Sequence, residues 1–181
     1  MENKIKILAF AGSLREHSYN KLLLQGVKAV LPEDFTMEIF DLSVIPMYNQ
    51  DDEDHMPDTV LEFKEKIEAS DIILIASPEY NFSISGALKN ALDWASRPYN
   101  QNSFDDKPVG IMGASFGMMG TSRAQYQLRQ IGVALNMRII NRPEIMLGMA
   151  SSKFSESGEL TDIKTKELIL SMLTGLRAMI K

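Results

Sequence analysis

The sequence predicts a doubly wound α/β domain, a parallel sheet with helices packed on both faces. Short apolar runs alternate with stretches of helical periodicity along the chain, the pattern of repeated βα units. Ile72-Ile73-Leu74-Ile75-Ala76 is apolar at every position, as a strand is when both faces are covered. Polar or glycine-rich loops follow three of these runs, and open parallel sheets bind ligands at the carboxyl ends of their strands.

Lys4–Phe10 reads as the first strand and Ala11–Tyr19 as a polar loop. Asn20–Leu31 follows as a helix, with Leu23, Val27, Val30 and Leu31 on one face. Thr36–Phe40 alternates as a second strand. The long loop Asp41–Met56 carries an acidic run, and Pro57 after it suits a first helical position. Val60, Phe63 and Ile67 then mark a short amphipathic helix. Ile72–Ala76 is the third strand; the loop Ser77–Asn81 leads to a helix with Leu88, Ala91, Leu92 and Ala95 on one face. Pro108–Ala114 is a fourth strand and Ser122–Ala134 a fourth helix. A fifth strand lies in Ile139–Leu147 around Pro143, and Thr161–Ile180 closes the chain as a helix. Leu168, Met172, Leu173, Leu176 and Ile180 form its expected buried stripe. Five βα units with no linker or repeat imply one domain over residues 1–181. The expected strand order is the flavodoxin-like 2-1-3-4-5, with right-handed crossovers.

Composition narrows the function. Nineteen basic residues against twenty-four acidic ones give a net charge of −5. No basic stripe exists to follow a phosphate backbone, so nucleic acid is not an expected partner. The absence of cysteine removes disulfides, thiolate metal sites and thiol nucleophiles together. With no signal-peptide pattern and no apolar run long enough for a bilayer, a cytoplasmic protein without membrane partners is expected. A chain of 181 residues can bury roughly 70% of the surface it exposes when unfolded.

Three loops carry the chemistry. The first, Gly12–Asn20, joins a strand to the start of a helix, where unpaired N–H groups and a partial positive charge attract phosphate. Ser13, Ser18 and Asn20 add polar donors and Arg15 a charged fork. The loop is neither G-x-G-x-x-G nor a Walker sequence, so a single phosphate ester suits it. Taken alone, it fits a phosphate site and a plain helix cap equally. The second loop, Pro78-Glu79-Tyr80-Asn81, offers a fixed backbone, N–H groups and a flat ring to a planar heterocycle.

The third loop contains Gly113-Ala114-Ser115-Phe116-Gly117, a literal G-x-S-x-G. In a serine hydrolase this is the nucleophile elbow, and the catalytic histidine follows it. Here both histidines, His17 and His55, precede Ser115, so the hydroxyl has no evident base. Ser115 is read as a hydrogen-bond donor, with the glycines letting the loop approach the same ligand. Met118 and Met119 flank this loop and could rest near a ring. Asp51-Asp52-Glu53-Asp54 reads as a solvated loop rather than a cation site. Arg123, Tyr126 and Glu144 are candidates for a subunit contact or for solvent, and Trp94 for the core or an interface.

The segments GSLREHSYN, SPEYNFSISGALKNALDW and SFGMMGTSRAQYQLRQ closely resemble the NADPH-dependent FMN reductase family, in its quinone, chromate and azo-dye reductase branch. The resemblance implies that Ser13, Arg15, Ser18 and Asn20 hold the FMN phosphate. It places Pro78, Glu79, Tyr80 and Asn81 against the isoalloxazine ring, tuned by N–H groups around Tyr80 and Asn81, and Ser115 and Gly117 near the ring and ribityl chain. It implies ping-pong hydride transfer from NADPH or NADH through FMN to a quinone, azo compound, metal oxyanion or free flavin. No catalytic side chain and no metal is required, since the flavin carries the hydride. A homodimer or homotetramer is also implied. Many relatives carry Gly-Gly where this chain has Gly120-Thr121, and a side chain there would narrow access to the pocket. The main alternative is a non-enzymatic electron carrier on the same fold. A phospho-receiver domain is excluded, because Ala11-Gly12-Ser13 and Ser77-Pro78-Glu79 stand where its acidic residues belong.

Overall fold

Alternate residues of the central strands feed two separate cores. In a computed structural model describing residues 4–181, β1 (Ile5–Ala11), β2 (Phe35–Phe40), β3 (Ile72–Ala76) and β4 (Pro108–Ala114) pair in parallel. Two short strands, β5 (Arg138–Ile139) and β6 (Ile145–Leu147), complete the sheet beside β4. The order β2-β1-β3-β4-β5 is the expected one. The single fifth strand is replaced by two pieces. β5 pairs with Pro108 and Val109 at the amino end of β4, and β6 with Met112–Ala114 at its carboxyl end. Pro143 lies between them and has no N–H to give to a ladder, which confines it to a sheet edge or a break.

The helices are α1 (Tyr19–Ala29), α2 (Asp58–Ala69), α3 (Gly86–Ala95), α4 (Ser122–Ala134) and α5 (Ile163–Arg177). Ile7, Ala9, Leu74 and Met112 meet α1 and α5 on one face, through Leu23, Val27, Ile169, Met172 and Leu176. Leu8, Phe10, Ile73, Ile75 and Ile111 meet α2, α3 and α4 on the other. This two-sided burial is the period-2 alternation of strand side chains. At Gly110 a Cβ would lie 2.7 Å from Leu74 and 3.0 Å from both Leu176 and Met172. Glycine lets α5 close on β4.

Boundaries move where local chemistry dictates. α1 stops at Ala29, short of Leu31, because Pro32 disfavours helical geometry in the residue before it. α5 begins at Ile163, because Asp162 serves as its cap and accepts from the Thr165 N–H at 2.9 Å. Its stripe is as expected at Met172, Leu173 and Leu176, whereas Leu168 and Ile180 are half-buried. The long loop contains two short 3₁₀ turns, Leu42–Val44 and Gln50–His55. Asp51, Asp52 and Asp54 are exposed on the second, while Glu53 accepts from the Tyr48 hydroxyl at 2.5 Å. Trp94 is fully buried, donates to the Pro46 carbonyl at 2.9 Å and meets Tyr48 edge-on, so it belongs to the core. No helix among the described residues is long and apolar enough to cross a membrane.

Candidate cofactor site

The three loops singled out in the sequence emerge side by side from β1, β3 and β4 and are tied to one another. Gly12 N–H donates to the Ala76 carbonyl and Ser77 N–H to the Met112 carbonyl, both at 2.9 Å. Ser85, which caps α3 by accepting from the Leu88 N–H, donates its own hydroxyl to the Gly12 carbonyl. The Asn20 amide pairs with the backbone of Ala114 in both directions. Glu79 reaches α4: the N–H groups of Arg123 and Ala124 donate to Oε2 at 3.0 and 3.2 Å, and the Arg123 guanidinium donates to Oε1 at 3.2 Å. Each loop is thus fastened to both of the others.

Within the first loop, Ser13 and Ser18 are buried and Arg15 is exposed. Ser18 caps α1 by accepting from the Asn20 N–H at 3.2 Å. The first turn of α1 contains no acidic residue, so its partial positive charge is left for an outside anion. Asn20 is turned inward, and its amide is occupied by Ala114. Its part is to fix the first loop against the third.

The second loop ends in a two-residue hairpin. Tyr80 and Ser83 exchange N–H to carbonyl bonds at 3.0 Å, and the tip residues Asn81 and Phe82 have φ of 52° and 67°. Those are type I′ turn values, for which glycine is usual at the second tip position. A left-handed phenylalanine costs on the order of 1–3 kcal/mol. The Tyr80 N–H is used inside this turn, so it is not available to tune a ring, contrary to expectation. The Asn81 N–H stands at the tip. Pro78 is buried, and Tyr80 is 47% and Phe82 63% exposed.

In the third loop the Ser115 hydroxyl donates to the Gly117 carbonyl at 3.1 Å, and Gly117 has open space where a Cβ would stand. His17 and His55 are exposed on other loops, and Ser115 has no imidazole beside it. Thr121 departs from expectation. It is 1% exposed, with its hydroxyl accepting from Gln125 Nε2 at 3.1 Å. A Cβ on Gly113 would fall 1.9 Å from that hydroxyl. The side chain lies beneath the loop and does not narrow any entrance.

Large apolar side chains stand exposed around these loops: Phe82, Phe116, Met118, Met119 and Met149. Such a group marks a ligand or protein contact. Of these, Phe82, Phe116 and Met149 escaped the sequence reading. The signal for Phe82 was its place beside Asn81 in a turn whose type the sequence did not declare. Arg123 is held by Glu79 of its own chain, and Tyr126 is exposed.

A concavity of about 870 Å³ lies elsewhere, at the amino end of β4. Its lysines are already engaged. Lys64 donates to the carbonyls of Ala95 and Gln101, and Lys107 to those of Glu68 and Ser70. Burial holds both ammonium groups below the usual lysine range. They close the carboxyl ends of α2 and α3, a structural role.

The NADPH-dependent FMN reductase model matches residues 5–152, from β1 to the turn after β6. The chain belongs to the NADPH-dependent FMN reductase family. An NAD(P)H-dependent FMN reductase of Pseudomonas aeruginosa is 45% identical over 182 aligned residues, covering 100% of this chain and 98% of that protein. A 2-hydroxy-1,4-benzoquinone reductase of Burkholderia is 36% identical, covering 98% and 97%. Among solved structures, FerB, a flavoenzyme NAD(P)H:(acceptor) oxidoreductase of Paracoccus denitrificans, superposes with a TM-score of 0.90 at 30% identity, covering 98% and 100%. The residues present fit an FMN reductase. An uncompensated helix N-terminus with Ser13 and Arg15 suits a phosphate ester, and a projecting turn with exposed Tyr80 suits a flat ring system.

Proposed function

We propose that this protein is an FMN-dependent NAD(P)H oxidoreductase that reduces small quinone-type acceptors. The observation that carries the reading is the set of cross-links gathering three loops at the carboxyl ends of β1, β3 and β4, beside an uncompensated α1 N-terminus. Bound FMN supplies two-electron chemistry that no side chain here offers. The chain binds and orients. Ser13, Arg15 and the first turn of α1 hold the phosphate end, with Ser18 and Asn20 setting the geometry of that turn. Pro78, Tyr80 and Asn81 flank the ring, Glu79 fixes their loop, and Ser115 and Gly117 close the third side. A nicotinamide and an acceptor take turns in the same place, a ping-pong order. The relatives' names, a quinone reductase among them, support the acceptor class.

The exposed apolar side chains near the loops favour a homodimer or homotetramer; the compartment proposed for it is the cytoplasm. Light scattering on a sizing column tests the assembly; a monomer at micromolar concentration contradicts it. The activity is tested by mixing FMN-reconstituted protein anaerobically with NADPH or NADH. Bleaching of the flavin band, faster than for free FMN, followed by recovery on adding a benzoquinone, is the expected result. A bound flavin that does not bleach identifies an electron carrier instead. Failure to bind flavin refutes the reading.

A further inference from the structure

The start of α4 lacks a cap of its own. Thr121 occupies the capping position with φ 70°, makes no capping bond from its side chain, and precedes a first turn without an acidic residue. The missing acceptor comes from another loop, since the Glu79 carboxylate receives the two N–H groups that a capping side chain normally satisfies. Its negative charge also sits at the positive end of the helix. The side chain is only 12% exposed, and its remaining oxygen is held by the Arg123 guanidinium. That guanidinium lies 4.4 Å from the centre of the Phe82 ring, within cation–π range.

We propose that Glu79 is a positioning residue: it holds the Tyr80–Ser83 turn at the flavin site through α4, without its carboxylate touching the ring. The turn needs such an anchor. Its tip places Asn81 and Phe82 at positive φ, and strain of this kind persists only where surrounding contacts over-determine it. Glu79, immediately before the turn, clamps one end to a rigid helix. Arg123, fixed by the same carboxylate, covers Phe82 at the tip. Releasing the carboxylate frees both restraints at once. The turn then relaxes, and the wall it presents to the ring is lost.

The inference rests on the FMN reading, and one set of measurements separates the two. Full-length wild type, Glu79→Ala, Glu79→Gln and Arg123→Ala are titrated with FMN by fluorescence quenching, and the bound flavin is examined by visible circular dichroism. Glu79→Ala is expected to bind FMN about tenfold more weakly, the scale of a lost cap, with an altered visible spectrum. Glu79→Gln is expected to stay within about threefold of wild type, because one amide oxygen can still accept from both backbone N–H groups. Arg123→Ala should fall between them. Phe82→Gly, which lets the turn keep its positive φ unaided, should recover part of the loss in Glu79→Ala. The double variant also supplies the comparison if the single one does not fold. Wild-type affinity and spectrum in Glu79→Ala, whatever its melting temperature, overturn the proposal. So does a Glu79→Gln variant as impaired as Glu79→Ala. Absence of FMN binding by the wild type refutes the cofactor reading, and this inference with it.

Discussion

Asn20 and Ala114, far apart in sequence, form a two-way pair at the heart of the site. Asn20 Nδ2 donates to the Ala114 carbonyl at 3.1 Å, and the Ala114 N–H donates to Asn20 Oδ1 at 2.9 Å. The pair is buried and joins the start of α1 to the end of β4. Asn20→Ala leaves both backbone groups unsatisfied, at an expected cost of about 2–3 kcal/mol and a melting temperature lower by about 5–10 °C. Asn20→Asp should be at least as harmful, since a carboxylate then faces the Ala114 carbonyl. Because the amide acts on loop geometry, Asn20→Ala should weaken riboflavin and FMN binding alike. Thermal melts with paired flavin titrations check this, and a loss confined to FMN would show that Asn20 touches the phosphate.

Arg15 gives the opposite pattern. Its side chain is exposed on the first loop, beside the helix N-terminus that would receive the phosphate. Arg15→Ala should weaken FMN binding by at least about tenfold, as expected for a charge-assisted bond, while leaving riboflavin affinity and the apoprotein melting temperature unchanged. Equal affinity of the variant and the wild type for FMN would remove Arg15 from the phosphate site.

The contrast between these residues shows what a sequence exposes. β3 and β4 were legible because runs buried on both faces are apolar throughout. The three loops were legible because their composition is unusual immediately after β1, β3 and β4. The roles of Asn20 and Glu79 were not, because their partners lie 94 and 44 or 45 positions away. A polar side chain reads the same whether it faces a ligand or a distant backbone group. The divided edge, β5 and β6, was not legible: the segment around Pro143 reads as one strand, and where it breaks depends on what β4 offers on either side. The left-handed tip at Phe82 was hidden because phenylalanine is a poor signal for positive φ.

Thr121 allows that last point to be measured. It is β-branched, at φ 70°, where such residues are genuine outliers. Its hydroxyl recovers part of the cost by accepting from the buried Gln125. Thr121→Ala loses the hydrogen bond and keeps the strain; Thr121→Gly loses the bond and relieves the strain. The glycine variant should therefore be more stable than the alanine variant by about 0.5–1 kcal/mol, or about 1–4 °C in melting temperature. Neither should change KM for small quinones by more than about twofold, the ordinary scale of a neutral substitution away from substrate. A marked fall in KM on opening position 121 would restore it as part of the pocket.

Asp162 sets the acid limit of the α5 attachment. The Lys153 ammonium at 2.5 Å, together with bonds from Thr165, lowers its pKa from 3.8 to about 2. The group binds a proton less readily when folded than when unfolded, so its contribution is present above about pH 4 and is lost as pH falls toward 2. With Lys153 partly screened by solvent, that contribution is about 1–2 kcal/mol. Asp162→Asn should therefore melt about 2–8 °C lower at pH 7, and the gap should narrow steadily below pH 4. Urea unfolding of both proteins at several pH values measures it. A gap that stays constant down to pH 2 would mean that the helix cap, which asparagine can also provide, has been confused with the ion pair.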